Sequence, residues 1–388
     1  MSAIELPASA TVVIIGGGVM GASAAFHLAL AGTTDVIVLE RNTLASGSTG
    51  KAAGGVRASF SHSTNIAMGM RGLEVYSRFA EDFGQEIEFR RNGYLYLLSD
   101  QENVDVFTES VAIQNAHGVT SRMIDPDEAQ RISPLISTDG LLAAAWSPND
   151  ARATPDAVVM GYAAAARRLG VRFVTGCAVT GIEMSGSAVS AVVTEHGTVR
   201  TPTAVCVAGA WSRSVGDMVG VDLPVSPMRR QIAFTTPSPD IPATSPLTID
   251  FPSTFYFHPE GGGLIFGWAN PDEPVAFNLE FDLENWLPHF ADIAARRAPT
   301  ILNYGIASGW AGLYEVTPDH NQIIGRATGV DGFIYATGFS GHGFLMGPAT
   351  GEIVRDLVLG REPSYDISGF DVRRFDKATT GRGEHNIV

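Results

Sequence analysis

Four apolar residues, Val12–Ile15, run straight into Gly16-Gly17-Gly18, and Gly16, Gly18 and Gly21 stand in the spacing G-x-G-x-x-G. An uninterrupted apolar run of this length suits a strand covered on both faces. The small-residue stretch after it, "VMGASAAFHLALAG", reads as a helix. A second apolar run, Val36–Leu39, follows and places Glu40 at its carboxyl end. Strand, glycine turn, helix and strand, with an acid about 20 residues past the glycines, make a βαβ unit that binds a dinucleotide. Gly16 permits the tight turn, Gly18 lets the backbone approach a pyrophosphate, and Gly21 lets the helix pack closely on the strand. The helix N-terminus offers N–H groups and the positive end of its dipole to the phosphates. Glu40 suits ribose hydroxyls and repels a 2′-phosphate.

This fingerprint does not choose between NAD and FAD. An NAD domain normally continues into a helix after the second strand. Here the chain reads "ASGSTGKAAGGVR", residues 45–57, small and polar with Gly47, Gly50, Gly54 and Gly55. Such a segment suits a chain laid along an extended, bulky cofactor.

Composition excludes other classes. The 388 residues are 45% hydrophobic, enough for a large core in two or three domains. A net charge of −15 argues against nucleic acid and anionic membranes. Cys177 and Cys206 are the only cysteines and lie in apolar stretches, as buried thiols of a reducing, cytoplasmic compartment would. Residues 12–32 carry no formal charge, but four glycines and His27 break the run, so no membrane span is expected. No basic segment precedes it, so no signal peptide is expected either. The histidines are scattered and no Cys pair has ligand spacing, so no metal site is expected. A G-x-S-x-G nucleophile elbow is absent. The last dozen residues, "KATTGRGEHNIV", read as a loose tail.

Further along, Thr154-Pro155-Asp156 caps a helix running to about Leu169. Residues 64–83 place Ile66, Met70, Leu73, Tyr76, Phe79 and Phe83 on one helical face. "VRFV" and "AVTGIEM" read as strands, and a hairpin-like pair and another buried strand follow. Residues 221–310, rich in proline and aromatics, read as an antiparallel sheet with loops. The expected fold is α/β: a Rossmann-like cofactor domain (1–84, 145–220 and 311–388) interleaved with a mixed or antiparallel-sheet substrate domain (85–144 and 221–310).

"GFSGHGFLMGP", residues 338–348, sets His342 among four glycines ahead of a helix expected to start near Pro348. Bare backbone and a positive helix end could there approach a negatively charged group.

Several stretches together carry a family resemblance: the glycine turn with Glu40, "GSTGKAAGGVR", "VAGAWS", "GLYEVTPDHNQIIG", "FIYATGFSGHGFLMGPATGEIVRDLVLG" and "FDVRRF". In this order, over nearly the whole chain, they resemble the D-amino-acid-oxidase-type family of FAD-dependent amine oxidoreductases. The nearest branch is that of sarcosine oxidase, dimethylglycine dehydrogenase and the proline dehydrogenase β subunit. The resemblance implies FAD in the Rossmann-like domain beneath a large mixed sheet. It implies oxidation of a small secondary amine or α-amino acid to an imine, by hydride transfer to flavin N5. The electrons would pass to O2 or another acceptor. A β subunit active only in a hetero-oligomer, or an enzyme for a bulkier or primary amine, are the alternatives.

By the same resemblance, cofactor contacts fall on Gly16, Gly18, Val19, Met20, Gly21, Glu40, Arg41, Ser48, Thr49, Lys51, Ala53 and Gly54. They continue at Val179 through its backbone, at Gly209, Trp211 and Gly312, and at Gly341, His342, Gly343, Phe344 and Leu345 as an oxyanion site for the flavin N1–C2=O edge. Arg57 is the candidate for a substrate carboxylate, Tyr256 for the pocket wall, His342 for a flavin or substrate contact, and Lys51 for a cation that activates oxygen. His258 replaces the arginine of the family's Tyr-x-Arg-Pro strand and reads as a turn residue. Gly50-Lys51 and Gly312 stand where relatives attach FAD covalently, so non-covalent FAD is expected.

Overall fold

The structure is a computed structural model describing residues 4–376 and 383–386. Its first unit is a six-stranded sheet. The strands lie in the order Ile323–Arg326, Phe333–Thr337, Ala204–Cys206, Val12–Ile15, Val36–Leu39, Arg172–Val174. All neighbours are parallel except the pair Ile323–Arg326 and Phe333–Thr337. The two strands and the helix of the opening unit (Val19–Leu30) fall where the apolar runs place them. Both strands are buried along their whole length.

The second sheet has eight strands, in the order Ile306–Val316, Ser226–Thr235, Gly263–Trp268, Phe255–Glu260, Leu247–Asp250, Tyr94–Leu98, Ala143–Ser147, Arg122–Ile124. Only Leu247–Asp250 and Tyr94–Leu98 pair in parallel. Register places Trp310, Gly312 and Tyr314 on one face with Arg230 and Ile232, then Gly267, Tyr256, Ile249 and Tyr96. Period-two alternation makes this one surface. The opposite face carries its own core of Phe255, Phe257, Phe266, Trp286 and Phe290. Two of these belong to a helix, Leu283–Arg297, in the region read as sheet and loops. Its short apolar repeat was masked by Pro288 inside it.

Three further expectations are corrected. The 64–83 helix is two helices, Ser63–Ser77 and Phe79–Phe83, and Met70 is exposed. Gly69 and Gly72 take the buried face instead: a Cβ there would stand 2.4 Å from the Arg57 carbonyl oxygen and 2.1 Å from that of Leu345. The closing helix starts at Gly343, not near Pro348, and runs to Leu359. Proline has no N–H, so the carbonyl of Phe344 lacks its helical donor. The Tyr76 hydroxyl donates to that carbonyl at 2.8 Å, which lets the helix pass through Pro348. The tail is not loose over Gly383–Asn386: Glu384 and Asn386 are buried. Its other residues, 377–382 and 387–388, lie outside the described ones.

No helix among the described residues is long and apolar enough to cross a membrane.

Candidate functional site

One cavity, ≈ 400 Å3, runs between the two sheets. Its floor is the glycine turn. Gly16 has φ +121, and a Cβ there would stand 2.4 Å from the Val207 carbonyl oxygen, so the tight turn needs glycine. Gly21 does not line the cavity; a Cβ on it would stand 1.9 Å from the Gly16 oxygen, which makes it the helix–strand contact. Gly17 N–H donates to Glu40 Oε2 and Asn42 N–H to Glu40 Oε1, both at 2.8 Å. Glu40 is thereby held at the strand end with lone pairs left for hydroxyl donors. The Val19 N–H donates to Thr49 Oγ1 at 3.2 Å, and Ser48 Oγ donates to the Leu313 carbonyl at 2.6 Å. These bonds tie the 45–57 segment to the helix start and to the second sheet.

Gly18, Val19, Met20, Arg41, Ala53, Gly54, Val179, Gly209 and Trp211 line the same cavity. The Arg41 guanidinium lies 3.9 Å from the centre of the Trp211 ring, which stacks on Phe277 at 5.4 Å. Gly341–Leu345 also line it. Gly341 has φ +98, and a Cβ would strike the Tyr314 ring at 2.3 Å. The His342 N–H is already donated to the Phe339 carbonyl at 3.0 Å. Gly343–Leu345 open the helix, and N–H groups of a first turn have no intrahelical acceptor.

The residues present fit a dinucleotide. Two helix starts face the cavity, and at Gly18 a Cβ would crowd Thr49 Oγ1 at 3.0 Å, so the turn there suits bare backbone that a ligand can approach.

The roof is the tyrosine face of the second sheet: Tyr94, Tyr96, Tyr256 and Tyr314 with Arg230, Ile232 and Gly312. A Cβ on Gly267 would stand 2.4 Å from Tyr256 Oη, so that glycine makes room for the ring. Burial raises the Tyr256 hydroxyl pKa far above its usual value, as does the neighbouring Tyr314, while Arg230 opposes this. Gly312 gives the same close approach to Lys51, whose Cβ would lie 2.7 Å from a Cβ there. The Lys51 ammonium sits 5.5 Å from the Trp310 ring centre, and Trp310 Nε1 donates to the Lys51 carbonyl at 3.1 Å.

Arg57 lines the cavity but is heavily engaged. Nη1 donates to the Ser59 carbonyl at 2.8 Å and Nη2 to the Asn386 carbonyl at 2.5 Å, and the guanidinium packs 3.8 Å from the Phe60 ring centre. His258 is not in a turn. It is buried inside the strand Phe255–Glu260, with Nε2 3.0 Å from the Ala53 carbonyl oxygen, and burial lowers its pKa to about 4.

His342 ends a buried hydrogen-bond chain invisible in the sequence. Its Nε2 lies 3.2 Å from Gln322 Oε1; Gln322 Nε2 donates to Asn65 Oδ1 at 2.9 Å; Asn65 Nδ2 donates to Glu384 Oε2 at 2.8 Å. A carboxylate only accepts, so it fixes both amides in turn and makes Nε2 the protonated nitrogen of His342. Burial, with Arg57 nearby, holds the His342 pKa well below its usual value, so the ring is neutral.

Two cavity residues escaped the sequence reading. Glu315 is a buried carboxyl that accepts from Thr337 Oγ1 at 3.0 Å, and burial raises its pKa to about 7. Arg230 follows Arg229, and only the strand register shows which of the two faces the cavity.

Known proteins agree with this architecture. Mitochondrial dimethylglycine dehydrogenase of Rattus norvegicus is 31% identical over 391 residues, covering 96% of this chain and 45% of that protein. Mitochondrial sarcosine dehydrogenase of Homo sapiens is 30% identical over 390 residues, covering 97% of this chain and 42% of that protein. The chain thus spans under half the length of these two relatives. The crystal structure of L-proline dehydrogenase from P. horikoshii superposes with a TM-score of 0.89 at 31% identity, covering 96% of this chain and 99% of that one. The family model described as FAD dependent oxidoreductase (DAO) matches residues 11–357, from the strand before the glycine turn into the closing helix; the chain belongs to that family.

Proposed function

We propose that this chain oxidises a small secondary amine or α-amino acid, of the sarcosine, proline or N-alkyl amino-acid kind, using non-covalent FAD. The observation that carries the reading is a shared cavity: the glycine turn and the tyrosine-lined sheet face open into the same space. Nucleotide and substrate would meet there without crossing solvent.

When bound, FAD supplies a hydride acceptor at N5 for the carbon next to nitrogen, and the resulting imine hydrolyses in water. The chain's part is orientation and charge. Glu40 and the helix starting at Val19 would hold the ribose and pyrophosphate, and the helix starting at Gly343 would face the flavin's negative edge. In this reading 1–84, 145–220 and 311–388 would act as the cofactor domain, and 85–144 and 221–310 as the substrate domain. The tyrosine face of the second would close over the flavin, exclude water and present the neutral amine. Lys51 would stand as a cation near the flavin and favour electron transfer to O2.

The test is the visible spectrum of purified, FAD-loaded protein under anaerobic conditions, before and after a panel of secondary and primary amines. Bleaching by one amine supports the reading, and return of colour in air makes the protein an oxidase. Yellow protein bleached by no amine would shift the reading to a chain active only with partner subunits. Protein unable to take up FAD would sink it.

A further inference from the structure

Between the strand Gly263–Trp268 and the helix Leu283–Arg297 the chain runs beside the first half of the strand Ser226–Thr235. Val275 bridges to Met228 in antiparallel register, and the Ala276 N–H donates to the Pro227 carbonyl at 3.1 Å. Met228 shares the parity of Arg230 and Ile232, which line the cavity. Alternation therefore turns Val275, Phe277 and Leu279 toward the cavity side. The contacts agree: Leu279 lines the cavity, and the Phe277 ring stacks on Trp211 with centres 5.4 Å apart and planes at 18°.

One residue ties down both ends of this segment. Arg229 donates from Nε and Nη2 to the Glu273 carboxylate at 2.7 and 3.2 Å, and from Nη1 to the Glu280 carbonyl at 3.0 Å. The Asp282 N–H adds a bond to Gln231 Oε1 at 2.6 Å, and the Phe281 ring lies over Gly309, where a Cβ would stand 2.2 Å from it. The middle is held differently. Val275, Phe277 and Leu279 are each more than half exposed, so little buried area keeps them in place. Phe277 meets Trp211 of the short turn Gly209–Trp211, which follows a strand of the other sheet. Trp211 also carries the Arg41 guanidinium at 3.9 Å, and Arg41 follows Glu40, so the contact sits at the nucleotide end of the cavity. A segment tied firmly at both ends and lightly held between them opens at its middle.

We propose that residues 273–281 form a strap over the nucleotide end of the cavity, latched by Phe277 on Trp211, and that FAD enters and leaves when the latch opens. The latch joins two side chains of the chain itself. Loosening it therefore favours opening whether or not FAD is bound, and entry and exit speed up together. The proposal rests on the non-covalent FAD of the reading above and is independent of the amine.

The test follows FAD release from loaded protein after dilution, by the fluorescence of free flavin, and FAD uptake by apoprotein, by its quenching. Phe277→Ala should raise both rate constants by about tenfold, a factor within reach of an aromatic stack and the area it buries. The dissociation constant should change less than either rate. Phe277→Tyr keeps the stack and should match wild type, which separates loss of the latch from any disturbance of folding. Unchanged release from the alanine variant would overturn the proposal. So would faster release with unchanged uptake, which would make Phe277 a direct contact of the bound cofactor rather than a latch. No amine enters these measurements. A failed amine panel therefore leaves the strap standing, and unaltered FAD exchange leaves the amine reading standing.

Discussion

Arg57 donates from Nη2 to the backbone carbonyl of Asn386 at 2.5 Å, joining two positions 329 residues apart. The joint is sealed by Glu384, which accepts from the Ser61 N–H (2.8 Å), the Ser61 hydroxyl (2.6 Å), Asn65 Nδ2 (2.8 Å) and the Asn386 N–H (3.2 Å). A four-residue stretch near the chain end is thus part of the wall behind the cavity.

Replacing Glu384 by alanine leaves those buried donors without an acceptor. We expect a loss of about 2–4 kcal/mol, since an unsatisfied buried group costs its full desolvation. Glu384→Gln, whose carbonyl still accepts, should lose less. Denaturant midpoints with unchanged slopes would show this. Because Asn65 and Gln322 relay the contact to His342, the alanine variant should also lose the fixed Nε2–H tautomer, visible in the imidazole nitrogen shifts by NMR.

Glu315 makes stability pH-dependent. Its folded-state pKa, about 7, lies above its ordinary 4.5 because burial disfavours the carboxylate. The folded protein therefore keeps a proton that the unfolded chain has released across that window. The stabilisation is complete below about 4.5 and is lost as pH rises through about 7, a span worth roughly 3 kcal/mol. Asp150, raised by burial to about 6, acts in the same direction. Glu315→Gln should flatten the fall of melting temperature between pH 5 and 7 without abolishing it; an unchanged slope would contradict the assignment.

Tyr76 stands in for the amide that Pro348 lacks. Tyr76→Phe keeps the stacking on Phe344 (5.2 Å, 24°) and removes only the hydrogen bond to its carbonyl. The expected cost is about 1–3 kcal/mol, that of one orphaned buried acceptor. The double variant with Pro348→Ala should recover part of it, because alanine restores the helical donor.

Lys51 is proposed to act on the oxidative half-reaction alone. In Lys51→Met, anaerobic reduction by an amine should keep its rate, while reoxidation in air should slow by about tenfold or more, as expected when a nearby charge is lost from a low-dielectric site. Stopped-flow traces of the two half-reactions separate these effects, and unchanged rates in both would end the proposal.

The opening βαβ unit was legible residue by residue. Val12–Ile15, Val36–Leu39, the glycine turn and Glu40 lie within 29 residues, and turn geometry, apolar runs and helix packing over that span are local properties. The helix from Pro155 to Arg168 was legible for the same reason, through its proline first turn. The α/β class and the second, largely antiparallel sheet followed from composition and alternation. What local pattern could not carry was partnership. Arg229 and Arg230 are chemically identical, and only pairing with Ile306–Val316 sends one to Glu273 and the other to the cavity. Pro348 signals a helix start until Tyr76 supplies the missing donor, and "GEHN" is polar tail until Arg57, Ser61 and Asn65 close on it. In each case a residue's role depends on charge, donor or acceptor brought from 44 to 329 positions away, and only the tertiary structure makes that encounter.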